Sequence, residues 1–191
     1  MPGPVPPCTR QRRRAGVTLV ELVVIMTIVG VSLGIVVPRL RQSERSKVDL
    51  AAMQLMHDMD LARTRALATR SLVRVAFSTV HNSYTGYLDA NRDGTIGETD
   101  AERDALAGGG QRSLPAGVQY GRGDAPVLRT GDATLPADNR VHFTIRGLAD
   151  VTGTSAHVYL RSSSDLSAVS AIIILPSGLL RLRRYHNGVW N

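Results

Sequence analysis

Three kinds of hydrophobic spacing follow one another along this chain of 191 residues. From Val17 to Val37 the residues are apolar apart from a few small or hydroxyl side chains, with Glu21 as the one charge. A helix of that length rises about 1.5 Å per residue and reaches roughly 30 Å, the thickness of a bilayer hydrocarbon core. Further on, Val48, Ala52, Leu55, Met59, Ala62 and Ala66 recur at gaps of four and three, one face of a helix running to about Arg70. That stripe, its methionine included, reads as core packing. Together the two stretches predict a single long helix, its first half in a membrane and its second half packed on a domain. After it, alternating residues predict strands at 72–78, 84–89, 140–147, 156–162, 168–175 and 179–185, separated by Gly, Pro and Asp. Residues 104–139 are rich in Gly, Pro and Ala and predict a loop-rich region, with short strand candidates near Val118 and Val127. A long helix followed only by strands argues for an α+β class, the helix laid across antiparallel sheet.

Charge changes this picture only when divided along the chain. The formal net charge is +7, but Arg10, Arg12, Arg13 and Arg14 all precede the apolar run. Without residues 1–16, 19 basic face 16 acidic side chains, which argues weakly for a polyanion partner. The basic residues Arg39, Arg41, Arg45 and Lys47 on the far flank balance the arginines on the near one, so the positive-inside rule gives no orientation. Cys8, the one cysteine, lies in the basic N-terminal stretch; its removal would leave no thiol for a disulfide or a thiolate metal site. The apolar run is longer than that of a secretory signal peptide and lacks its small-residue cleavage site.

Within the run, Glu21 costs on the order of 3 kcal/mol in lipid and needs either a reach to the headgroups or a partner. The string Gly30–Gly34 matches G-x-S-x-G, but a serine nucleophile needs a strand-turn-helix elbow that an unbroken helix cannot supply. The same glycines fit G-x-x-x-G, which lets helices approach closely, or are an incidental pair. Pro38 removes an amide hydrogen and leaves the carbonyl of Gly34 unpaired, which predicts a kink or melted turn over Gly34–Pro38.

"RRRAG" followed by "VTLVE" resembles the prepilin peptidase site of type IV pilins and type II secretion pseudopilins. The resemblance implies cleavage after Gly16, N-methylation of Val17 as the new first residue, and Glu21 as the fifth mature residue. It also implies that Glu21 neutralises the N-terminal amine of a neighbouring subunit on assembly, and it places Pro38 at a helix-perturbing proline of the family. The first mature residue is usually phenylalanine and here is Val17. Later features resemble the H-type pseudopilins and FimT-like minor pilins: the turn in "LDANRDGTIGETDAERDAL", an F-x-x-R-G strand end at Phe143 to Gly147, and the final "IIILPSGLLRLRR".

Three places are candidates for chemistry. Asp89, Asn91, Asp93 and Gly94 open a loop as D-x-N-x-D-G, the start of an EF-hand calcium loop. The twelfth position is Asp100 where an EF-hand has glutamate, Glu98 comes two early and a strand precedes the loop, so a solvated Asx turn is the competing reading. At the last strand, Arg181, Arg183 and Tyr185 share one face about 6.6 Å apart, near the spacing of successive phosphates. Arg184 adds to the basic run, and His186 and Trp190 extend the strip with rings able to stack on bases. FimT-like pilins of competent bacteria bind DNA through G-R-x-R here, whereas Gly178 is followed by Leu179; solvated arginines on a sheet face are the alternative. The histidines His57, His81, His142, His157 and His186 show no metal-ligand spacing and no catalytic set.

Together with the resemblance, the sequence predicts a transmembrane and exposed helix at 17–45 and an α+β head at 46–191; the resemblance implies that 1–16 is a leader, that the anchor is a single pass in the inner membrane and that the head is periplasmic. No catalytic turnover and no cofactor are expected beyond the calcium question. The partners implied by the resemblance are prepilin peptidase, other pilin or pseudopilin subunits and the inner-membrane assembly platform. The expected role is a minor subunit of a secretion pseudopilus or type IV pilus; the rival is a pilus-tip protein that binds DNA for uptake.

Overall fold

The structure, a computed structural model, describes residues 19–40, 43–103, 105–106, 110–130 and 133–191, and of 33–40 the backbone only. The chain divides into two compact units, Met1–Gln42 and Ser43–Asn191.

In the first unit, helix α1 is Leu19–Leu40. Its described side chains are exposed all round, with Leu19 at 80% and Val29 still at 47%. An apolar surface of that kind is at home in lipid or in a bundle. Among the described residues no helix is both long and apolar enough to cross a membrane. Part of the expected span, residues 17–18 and the side chains of 33–37, lies outside them. The backbone is helical through Gly34 and Pro38, so of the kink or melted turn expected there the melted turn is not formed. One missing amide hydrogen removes one bond, and the turns on either side hold the backbone.

The single long helix of the sequence reading is two helices. Ser43 adopts extended angles (φ −61°, ψ 145°) and its hydroxyl accepts the Ser46 amide at 3.2 Å, starting helix α2, Glu44–Thr69. A serine N-cap satisfies one of the orphan amides of a first turn, which makes "QSERS" a start signal. Arg70, at φ 53°, turns the chain out of the helix.

Ten strands follow among the described residues: β1 Val73–Ser78, β2 Ser83–Leu88, β3 Gln111–Ser113, β4 Val118–Tyr120, β5 Arg140–Phe143, β6 Ala149–Asp150, β7 Ala156–Ser162, β8 Val169–Ile174, β9 Leu180–His186 and β10 Val189–Trp190. They form two antiparallel sheets, A in the order β3-β2-β1-β5-β6 and B in the order β10-β9-β8-β7-β4. The α+β class holds, with two sheets sharing one helix. The strand expected at 140–147 stops at Phe143, because Thr144–Gly147 turns back with Gly147 at φ +70°.

The period-two alternation decides which face each strand gives to α2. Val73, Val75, Phe77, Val141 and Phe143 of sheet A and Val158, Leu160, Ile172 and Ile174 of sheet B join Val48, Leu55 and Met59 in one core. Ala51, Ala52, Ala62 and Ala66 are buried on the same helix face, and their small side chains let it lie close to both sheets. Polar ties divide the helix. Its first half is bonded to sheet B, Glu44 to Ser162 at 3.0 Å and Asp49 to Ser170 at 2.6 Å. Its second half is bonded to sheet A, where buried Asp58 accepts the Tyr84 hydroxyl at 2.6 Å and pairs with Arg112 at 3.4 Å. Further along, Arg63 Nε donates to the Gly147 carbonyl at 2.9 Å.

Candidate functional site

Gly16 and Val17 lie outside the described residues. Glu21 occupies the first turn of α1, and Pro38 is in its last turn, its side chain outside the described set.

The aspartate-rich loop leaves sheet A at the end of β2. Asp89 is 2% exposed, and its Oδ2 accepts the Gly94 amide at 3.0 Å while its Oδ1 has no hydrogen-bond partner among the described residues. Asp93 is exposed; its Oδ1 accepts the Thr95 amide at 2.7 Å and hydroxyl at 2.6 Å, and Asn91 Nδ2 donates to its Oδ2 at 2.7 Å. These bonds hold the Asp93 carboxyl below its ordinary value, the Thr95 hydroxyl contributing most. They are an Asx turn, so the competing reading describes Asp93 well. Glu98 is committed elsewhere, since its Oε1 takes Arg74 at 3.0 Å and Arg140 at 2.6 Å. Asp100 pairs with Arg103 at 2.8 Å on the surface. Among the described residues no three His, Cys, Asp or Glu side chains are grouped to hold a metal ion.

Arg74 and Glu98 belong to a cluster on the outer face of sheet A that sequence spacing did not reveal. Arg74 Nε donates to His142 Nε2 at 3.0 Å, and a second nitrogen donates to the Ile96 carbonyl at 2.9 Å, so the loop is strapped across β1 and β5. Arg74, Arg140, His142, Asp150 and His157 line a cleft of about 660 Å³ beside the start of β7. Cross-strand register brings His142 opposite Asp150 on the next strand and opposite Arg74, 68 residues away in sequence, a pairing that no local motif announces.

Burial, then the Arg74 charge, push the His142 imidazole below its ordinary 6.5; Arg140 adds to this, and Asp150 and Glu98 oppose it. A histidine lowered in the folded state binds fewer protons there than when unfolded. Its contribution is complete above about pH 6.5 and is lost as pH falls through the folded value. The melting temperature should therefore drop between pH 7.5 and pH 5.5, and the drop should be smaller in His142→Gln; an equal drop in both proteins would assign the dependence to other groups.

On β9 the sequence reading is half corrected. Arg181 and Arg183 are exposed on the outer face of sheet B, with no partner among the described residues. Tyr185 shares that face, but its ring packs on Trp190 at 5.4 Å, and Trp190 meets Tyr159 at 5.9 Å and donates to the Pro126 carbonyl at 3.0 Å. Those rings are engaged under the 125–128 segment. Arg184 and His186 fall on the opposite face by alternation: Arg184 pairs with Asp49 at 3.6 Å, and His186 is hydrogen-bonded to Arg45. The basic strip is thus two arginines, Arg181 and Arg183. Of the remaining histidines, His57 and His81 are exposed and His157 is buried beside Tyr159.

Comparison with known proteins bears on both units. Residues 11–37 match the model of the prokaryotic N-terminal methylation motif. Residues 51–178, about two thirds of the chain, match that of the type II transport protein GspH. No curated protein matches the chain. Two solved structures of the minor pseudopilin EpsH from the Vibrio cholerae type II secretion system are similar to it. One is 12% identical over 71% of this chain and 95% of its own, with a TM-score of 0.47. The other is 13% identical over 73% and 95%, with a TM-score of 0.46. With a methylation motif ahead of a GspH head, this chain belongs to the family of the type II transport protein GspH.

Proposed function

We propose that this chain is made as an inner-membrane precursor, cut by prepilin peptidase between Gly16 and Val17, methylated at Val17, and assembled through its N-terminal helix into a secretion pseudopilus. The succession of a methylation motif and a GspH head in one chain carries this reading. The apolar surface of α1 suits a single-pass anchor with the head in the periplasm. In the assembled filament Glu21 pairs with the Val17 amine of a neighbouring subunit, so two groups costly in lipid satisfy each other only when subunits stack. The protein acts without catalytic turnover, and its partners are the peptidase, other pseudopilins and the assembly platform.

A deletion strain scored together for exoprotein secretion, twitching and transformation tests the role. Loss of secretion with the other two intact is the expected result; loss of transformation alone would replace this reading by DNA uptake. The processed protein should show methylated Val17 by mass spectrometry. Glu21→Ala should still insert in the membrane but enter filaments poorly, and normal incorporation would contradict the pairing.

A further inference from the structure

Asp89 poses a problem that the secretion role does not solve. Its carboxylate is buried at the mouth of the 89–95 loop, and one oxygen meets no donor among the described residues. A buried carboxylate oxygen without a partner is costly, and such an atom signals a bound water or ion. The other oxygen of the same group accepts the Gly94 amide at 3.0 Å, so the carboxylate sits against the backbone of the loop. Arg92, the cation nearest in sequence, points its guanidinium away and donates to the Thr69 carbonyl at 3.3 Å.

We propose that this loop binds one calcium ion, with Asp89 Oδ1, Asn91 Oδ1, an Asp93 carboxylate oxygen and the Thr95 carbonyl as its protein ligands. These are the first, third, fifth and seventh positions of an EF-hand loop, with Gly94 at the sixth allowing the sharp turn at φ +83°. Calcium accepts amide and backbone oxygens and water beside carboxylates, with affinity falling as the charge count falls, so two aspartates suit a weak site. The set is all oxygen and contains no histidine or thiol, which disfavours zinc and copper. Glu98 and Asp100, the acids at the far end of the loop, are held by arginines and take no part. Asn91 is the adjustable member: its amide nitrogen donates to Asp93 Oδ2 and its oxygen accepts the Asp93 amide at 3.3 Å, and turning the side chain exchanges both bonds for the ion. The bound ion would fix the end of the strap that Glu98 and Arg74 hold across sheet A.

The test uses the full chain in detergent micelles, stripped with EGTA and exchanged into chelator-free buffer, then titrated with calcium chloride by calorimetry and thermal melting. One calcium per chain is expected, with a Kd of order 0.1–1 mM, the range of extracellular modules. At a hundredfold excess over Kd the melting temperature should rise by roughly 5–10 °C. Magnesium at equal concentration should shift it much less. Asp93→Asn, a change at the surface, should weaken binding at least tenfold, and Asn91→Ala should do so if the first variant folds poorly. No heat and no melting shift up to about 10 mM calcium, tenfold above the weakest expected Kd, would leave Asp89 with water alone and overturn the proposal. Undiminished binding by both variants would overturn it equally, by placing the ion elsewhere.

Discussion

Replacing Asp58 by alanine should destabilise the Ser43–Asn191 unit by about 3–4 kcal/mol, the largest loss expected from a single polar side chain in it. Asp58 is 1% exposed and receives the Tyr84 hydroxyl, the Gln54 amide at 3.1 Å and the Arg112 guanidinium. Its removal leaves a buried hydroxyl without an acceptor, and Tyr84 is so enclosed that burial, then the bond to Asp58, push its ionisation far above the ordinary value. Arg112 is one third exposed and can turn to water, which keeps the loss below that of a fully buried ion pair. Denaturant unfolding of Asp58→Ala, Tyr84→Phe and the double variant checks this. A coupling of about 1 kcal/mol or more between the two sites is expected, and strict additivity would mean that the bond contributes nothing.

Gly178→Ala should cost about 2–4 kcal/mol, whereas Gly153→Ala should cost only about 1 kcal/mol. Both glycines have positive φ, +78° and +85°, so an alanine meets the same backbone penalty at each. The difference lies around them. A Cβ at Gly153 has open space, but one at Gly178 would collide with the Gly147 carbonyl and come within 2.7 Å of Arg63 Nε. Gly178 closes the β8–β9 hairpin, its amide donating to the Leu175 carbonyl at 2.8 Å. The Thr144–Gly147 turn of sheet A lies against it, and the Ala149 amide reaches the Pro176 carbonyl at 3.0 Å. Melting curves of the two variants separate the collision from the backbone term; equal losses would remove the collision.

That junction shows what was legible in the sequence. The F-x-x-R-G strand end and the glycine of the last hairpin stand out as separate landmarks, and both are tips of turns that meet at Arg63. Local patterns announce each turn, but nothing local says that they touch. The same holds for the sheets. Six strands follow from alternation and turn residues, and the β7 run 156–162 is found at the expected residues. The pairing of β1 with β5 and of β4 with β7 is set by packing on α2, which spacing along one strand cannot show. Strands β3, β6 and β10 are two or three residues long, too short for a period, and β3 is wholly polar. Val127 belongs to no strand. At the sites, the Asp89 to Gly94 pattern was visible but the missing partner of Asp89 was not, and the faces of Arg184 and His186 follow from alternation applied one residue further.

The divided attachment of α2 also has a mechanical meaning. Traction on the N-terminal end of the helix loads Glu44–Ser162 and Asp49–Ser170 before it reaches Asp58 and Arg63, so sheet B carries the pull first. Sheet A, with the 89–95 loop at the end of β2, follows through the shared core and is partly shielded from it. In a head pulled from that end, sheet B is then the bearing part, and sheet A is loaded through the core that both sheets share.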